Sequence, residues 1–342
     1  MCYGTSDLAH QITFLPSQLH CLANESETVL DAATRHGLRV PRACDAGTCQ
    51  LCMARLITGK ARLKHQDDIV DASGGPLEPV FCCLLLPLTD LQLEIERVLA
   101  PGQLPTHQVS AQITDIHQAS NDVKVVTLRL PAGKRVDFYP GQYLQVILDS
   151  ENSAAFSIAS APRNDRTLEL HIRATNDSDS YPLLERRLKT GEILKLSLPH
   201  GETTLLKMQH TKKLMMIAAS TGYSQIKAML EGLTAANDPR PITVYWGART
   251  ASDLYQHDAL LAMSQLHGNI TYIPVVSDHP EWPGRSGLVH KAVLEDLQGD
   301  FSGWSIICGG SPPMVYATFD DFVAAGMQPE QMISDVFDYA PR

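Results

Sequence analysis

Short runs of alternating apolar and polar residues dominate this chain ahead of Lys212, and a strand-helix rhythm replaces them after it. Gln11 to Leu15 and Leu19 to Leu22 flank Pro16-Ser17, which predicts a hairpin. Thr28 to His36 places Val29, Leu30 and Ala33 at helical spacing, with Gly37 to stop the turn. Leu91-Gln92-Leu93-Glu94-Ile95 alternates as a closing strand. Leu99 to Pro105 carries two prolines and a glycine and reads as a linker. Beyond it, Val123 to Leu128 and Leu168 to Arg173 are short strands between turn signals, the pattern of a small barrel. Strands at Lys213 to Ala218, Ile242 to Trp246, Ile270 to Val276 and Trp304 to Cys308, with a helix at Ser224 to Ala236, predict a parallel α/β sheet. The chain therefore divides into residues 1–98, a linker at 99–106, a barrel at 107–206 and an α/β domain at 207–342.

Composition narrows the class. Of the 342 residues 44% are apolar and 19% charged, enough material for two or three cores. With 28 Lys and Arg against 38 Asp and Glu the net charge is −10, which disfavours nucleic acid and anionic membranes as partners. The densest apolar run, Val80 to Leu88, contains Pro87 and falls far short of the roughly 20 residues a membrane span needs. No Lys or Arg occurs in the first twenty residues, so neither a signal nor a transit peptide is expected, and the expected location is the cytoplasm.

Cysteines carry the chemistry. Seven of the eight (Cys2, Cys21, Cys44, Cys49, Cys52, Cys82 and Cys83) precede residue 84, and Cys308 stands alone. Cys44, Cys49 and Cys52 form C-x4-C-x2-C, the plant-type [2Fe–2S] spacing, which needs a fourth thiolate from far along the chain. Cys82, thirty positions after Cys52, fits that role, with Cys83 as its neighbour. Ala46, Gly47 and Thr48 are small enough to let the backbone approach a cluster. A zinc site or a Cys49–Cys52 dithiol are the alternatives; zinc loops usually pair two knuckles, and a dithiol leaves Cys44 and Cys82 idle. Cys2 and Cys21 read as small apolar residues. Residues 10 to 97 resemble a plant-type ferredoxin domain of the β-grasp kind, with Cys44, Cys49, Cys52 and Cys82 on its ligand positions.

The rest of the chain resembles the ferredoxin–NADP⁺ reductase superfamily, and particularly bacterial NAD(P)H–flavin reductases. Tyr139-Pro140-Gly141-Gln142-Tyr143-Leu144 is similar to the strand entering the flavin site, and Phe156-Ser157-Ile158-Ala159-Ser160 to the segment whose aromatic residue stacks near the flavin. Pro199-His200-Gly201 matches the turn that closes the barrel. Ser220-Thr221-Gly222, Tyr245-Trp246-Gly247-Ala248-Arg249, Trp282 to Gly287 and Gly309-Gly310-Ser311-Pro312-Pro313-Met314 match the nucleotide half in family order. The resemblance implies FAD at Tyr143, Phe156, Ser157, Ile158, His200 and Gly201, with Ser157 as the catalytic hydroxyl beside N5. It implies a nicotinamide nucleotide at Thr221, Gly222, Gly247, Arg249, Gly310 and Pro312. Small residues ahead of a helix let phosphates meet its N-terminal N–H groups.

Three positions depart from the family. Ala154 stands where the flavin-phosphate arginine belongs; losing that bond costs about 1.5–3 kcal/mol, or roughly 10- to 150-fold in affinity. Arg173 is the candidate substitute. Ala219 and Ser220 replace two glycines, and the nicotinamide-side cysteine of the family falls on Gly309, one residue after Cys308. The expected function is an electron-transfer reductase: NADH to FAD, then singly to the [2Fe–2S] centre, then to a separate acceptor protein. Such fusions resemble reductase components of bacterial multicomponent oxygenases and the reductase of deoxysugar biosynthesis. Asp45, Asp67, Asp68 and Asp71 could dock a basic partner. Two rivals remain: a flavin reductase that releases reduced flavin, which Ala154 favours, and a non-catalytic electron carrier with a decayed flavin site. NADH is expected over NADPH because Thr250 to Leu254 lacks the clustered cations that a 2′-phosphate favours.

Overall fold

The computed structural model describes residues 9–66, 68–175, 180–208, 211–279 and 281–342, so Cys2 and Asp67 lie outside the described residues. The chain divides into two units, Met1–Pro105 and Thr106–Arg342.

In the first unit β1 (Ala9–Leu15) and β2 (Leu19–Asn24) form the expected hairpin, with Ile12 opposite Cys21. Helix α1 (Val29–Arg35) is capped by Thr28, whose side chain accepts from the Asp31 backbone N–H, and buries Val29, Leu30, Ala32 and Ala33. Then come β3 (Met53–Thr58), β4 (Lys60–Leu63), β5 (Ile69–Asp71), β6 (Leu77–Phe81), β7 (Leu85–Pro87) and β8 (Leu91–Glu94). The main sheet runs β2-β1-β8-β3-β6, and β5-β4-β7 forms a smaller one. The inward residues Ile12, Phe14, Leu30, Leu56 and Leu93 close this core. Leu99, the first linker residue, exchanges both backbone hydrogen bonds with Arg39 and so belongs to this unit.

The second unit opens with β9 (His107–Gln118), β10 (Val123–Arg129), β11 (Tyr143–Ile147), β12 (Ser153–Ser157), β13 (Thr167–Arg173), α2 (Ser180–Arg187) and β14 (Ile193–His200). These strands form one antiparallel sheet, β12-β11-β14-β9-β10-β13. Its edges meet through the Ile158–Leu170 bridge and an Ala159 N–H bond to the Glu169 carbonyl at 2.7 Å, which closes the expected barrel with six strands. Ile113, Val126, Leu144, Leu170 and Leu196 fill it.

The α/β half follows as β15 (Lys213–Ala219), a tight turn at Ser220–Gly222, α3 (Tyr223–Ala235), β16 (Ile242–Ala248), α4 (His257–Leu266), β17 (Ile270–Val276), β18 (Arg285–Ser286), α5 (Val289–Leu297), β19 (Trp304–Gly309), α6 (Pro312–Ala324), β20 (Met332–Ile333) and α7 (Val336–Tyr339). The parallel order is β18-β17-β16-β15-β19-β20, so the winding reverses between β15 and β19. Residues of α3 and α4 line one core, those of α5 and α6 another, which accounts for strands apolar on both faces.

Leu170 is fully buried where the barrel closes. Leu170→Ala should cost about 2–5 kcal/mol in urea unfolding of the whole chain. A cost near zero would mean the barrel core does not pack as described.

Candidate functional site

The loop after α1 brings sulfur and backbone together. The Cys49 N–H donates to Cys44 Sγ at 3.2 Å, and the Gly47 N–H donates to Cys83 Sγ at 3.2 Å. Cys83 Sγ also lies 3.4 Å from Cys52 Sγ. Gly47 has φ +73°, and a β-carbon there would stand 3.0 Å from a Leu84 methyl, so the close approach needs glycine. The spacing argument expects the fourth ligand at Cys82, and the structure brings the next sulfur, Cys83, to the loop. Cys82 sits in the turn Phe81–Leu84 with both backbone groups engaged, its N–H to Cys52 and its carbonyl to Leu30. That anchoring turns its side chain into the core, fully buried, and presents the next sulfur to the loop. Backbone N–H groups aimed at Cys44 and Cys83 suit sulfurs that ligate a cluster.

A cavity of about 690 Å³ opens between the barrel and the parallel sheet, a volume suited to a ligand. Tyr143, Phe156, Ser157 and Arg173 from the barrel meet Thr221, Gly222 and Gly310 from the α/β half in its wall. Small residues at the β15/β19 reversal are needed for contact: a β-carbon on Gly222 would stand 2.2 Å from the Gly309 carbonyl oxygen. One on Gly309 would meet the Gly222 carbonyl oxygen at 2.7 Å, so no cysteine fits at the position the family comparison picked. Cys308 lies behind the wall, its thiol pushed up to about 12 by burial.

Other expected site residues lie elsewhere. Ile158 is fully buried in the barrel core. His200 stacks on Tyr143 at 5.4 Å and bonds Ser197, and Gly201 leaves room for the Tyr143 ring, so both support the wall from behind. Gly247 packs on Val289, where a β-carbon would stand 2.8 Å away, and serves helix packing. Pro312 starts α6 beside the wall residue Ser311. Arg249 is 78% exposed and pairs with Asp278 at 3.6 Å, away from the cavity. Arg173 is already committed to Asp122 at 2.6 Å and to the Ser220 hydroxyl at 3.2 Å. That pairing makes it a poor stand-in for the charge missing at Ala154.

Wall residues that carried no sequence signal as site residues include His171, Gln225, Asp335 and Tyr339. Burial, reinforced by Asp338, pushes the Asp335 carboxyl above the usual range. His171 donates from Nε2 to Glu169 at 2.9 Å, which leaves Nδ1 to accept from Tyr255 at 2.8 Å. Burial lowers the His171 pKa against the pull of Glu169. Burial would raise Glu169, but the His171 bond and Lys227 at 3.1 Å hold it down at about 2. Lys227 continues to Glu231 at 2.6 Å, so barrel and α3 share one half-buried ionic chain.

Comparison with known proteins matches these parts in order. A 2Fe-2S iron-sulfur cluster binding domain model matches residues 12–87, an oxidoreductase FAD-binding domain model 110–205, and an oxidoreductase NAD-binding domain model 216–320. The xylene/toluene monooxygenase electron transfer component of Pseudomonas putida is 30% identical over 324 residues, covering 92% of this chain and 90% of the relative. The CDP-6-deoxy-L-threo-D-glycero-4-hexulose-3-dehydrase reductase of Yersinia pseudotuberculosis is 28% identical over 323 residues, 94% of this chain and 96% of the relative. An Amycolatopsis cytochrome P450 reductase shares the fold at a TM-score of 0.66 and 22% identity, covering 95% of this chain and 98% of that one. Among the described residues no helix is long and apolar enough to cross a membrane.

The His171 chain has a pH signature. Its folded pKa is below the ordinary histidine value of about 6.5, so its stabilising contribution is full above about 6.5 and is lost as pH falls. Urea unfolding of His171→Gln between pH 6.5 and 5 should therefore slope less steeply than wild type, by up to about 1.4 kcal/mol per pH unit. Equal slopes would show that His171 is not held neutral.

Proposed function

Since this chain belongs to the reductases that join a ferredoxin-type [2Fe–2S] domain to FAD- and NAD-binding domains, we propose that its cavity is where NADH meets FAD and that electrons leave through a cluster held by Cys44, Cys49, Cys52 and Cys83. The observation that carries this reading is the cavity wall itself, where Tyr143, Phe156 and Ser157 face Thr221, Gly222 and Gly310. FAD, when bound, supplies hydride acceptance and the release of electrons one at a time to the cluster.

The chain's own residues do the positioning. Tyr143, braced by His200, and Phe156 give flat apolar surface for a ring system. The Ser157 hydroxyl can give or take a hydrogen bond as charge on that ring changes. Asp335 keeps its proton to higher pH than an exposed aspartate and lies in the same wall. The tight turn at Ser220–Gly222 leads into α3, whose N-terminal end, with its partial positive charge, suits a phosphate. Arg249 is matched by Asp278, and Thr250 to Leu254 adds no cation, which supports NADH over NADPH.

The acceptor is a separate redox protein, an oxygenase component or similar enzyme. The names of two relatives support this reading, one of them for a monooxygenase and the other for a deoxysugar dehydrase. A second reading, release of reduced flavin, draws on Ala154, which puts no charge at the family's phosphate position.

Anaerobically purified protein should show iron–sulfur and flavin absorbance, and one equivalent of NADH should bleach both. If flavin is absent, added FAD should restore the bleaching; failure then would remove the reductase reading. Cys83→Ser should lose most iron, whereas Cys82→Ser should keep it. The reverse pattern would return the fourth ligand to Cys82.

A further inference from the structure

In the first turn of α3, Gln225 is 1% exposed and forms part of the cavity wall. Its Nε2 donates to the Gly141 carbonyl at 2.8 Å. That contact decides which end of the amide is which, because two oxygens would repel there. Gly141 is closely enclosed on its other side: a β-carbon on it would meet the Thr203 carbonyl oxygen and Met229 Cε, each at 2.2 Å. The other end, Oε1, is shut off from bulk water and no protein donor reaches it. Buried acceptors are nearly always paired, so an orphan in a cavity wall points to a donor brought by the ligand.

We propose that Gln225 Oε1 accepts a hydrogen bond from the carboxamide N–H of the nicotinamide ring and so orients that ring for hydride transfer. This rests on the reading that NADH and FAD meet in this cavity. Gln225 comes three residues after Gly222, just beyond the β15/β19 reversal, where dinucleotides bind across the carboxyl ends of parallel strands. The carboxamide is the nicotinamide's only N–H donor. The flavin imide N–H is the competing donor, and the test separates the two. Gln225 is a positioning residue here, with no part in proton transfer.

The probe is 3-acetylpyridine adenine dinucleotide, in which a methyl group replaces the carboxamide nitrogen. Its dissociation constant and that of NAD⁺ are read from the perturbation of flavin absorbance in the full-length holoprotein. Wild type should bind the analogue roughly 5- to 100-fold more weakly than NAD⁺, because the acceptor is left unserved. Gln225→Met, with no acceptor, should bind the two within about twofold. Gln225→Ser, which removes bulk, is the second variant if the methionine form does not fold. The proposal is overturned if wild type does not discriminate, or if the variants discriminate as wild type does. It is equally overturned if the variants release flavin while discrimination is unchanged, since the acceptor would then serve the flavin imide. Failure of NADH to bleach wild-type flavin would instead remove the underlying reading, and that is seen before any variant is made.

Discussion

At the reversal point of the parallel sheet two backbones touch, at Gly222 and Gly309, and neither position has room for a side chain. This contact sets how closely the turn after β15 approaches the end of β19. It also sets where the first turn of α3 begins, and hence where Thr221, Gln225 and the helix N-terminus stand. A cleft floored by bare backbone lets a flat ring or a phosphate come nearer than any side chain would allow. The cavity inherits its shape from two missing β-carbons.

The barrel reaches the same cavity from the other side, and an ionic chain holds the two halves in register. Glu169 on β13 meets Lys227 on α3, which meets Glu231, which meets Arg163 from the loop before β13. Charges this sheltered are costly alone and acceptable only when each has a partner, so the chain favours one docking of barrel on sheet. Tyr223 stacked on Trp246 at 4.0 Å, with Tyr255 edge-on to both His171 and Trp246, fills the space behind it.

Much of this was legible in the sequence because strands announce themselves by period. The hairpin at Pro16-Ser17, the barrel strand at Leu168 to Arg173 and the sheet strands after Lys212 all form where alternation or apolar runs placed them. Spacing is ambiguous where two neighbours compete. Counting along the chain cannot say whether Cys82 or Cys83 points inward; the backbone bonds of Cys82 to Cys52 and Leu30 decide it. Glycine was equally ambiguous, since Gly247 serves helix packing and Gly222 the cleft. Gln225, Asp335 and Tyr339 stayed hidden because they reach the cavity from helix turns, whose facing depends on tertiary packing.

Ser220 carries a historical consequence. Its backbone is left-handed, φ +51°, a region that glycine enters at far less cost. Two bonds hold it there, from Trp246 Nε1 to its carbonyl at 3.2 Å and from Arg173 to its hydroxyl. A non-glycine residue in that region is tolerated only where its surroundings enforce it. Trp246 and Arg173 are thereby bound to Ser220 in order of descent: losing either first exposes the strain, whereas Ser220→Gly first makes both expendable for this purpose. The turn is epistatic in one direction, and lineages that carry serine here should be found retaining both partners.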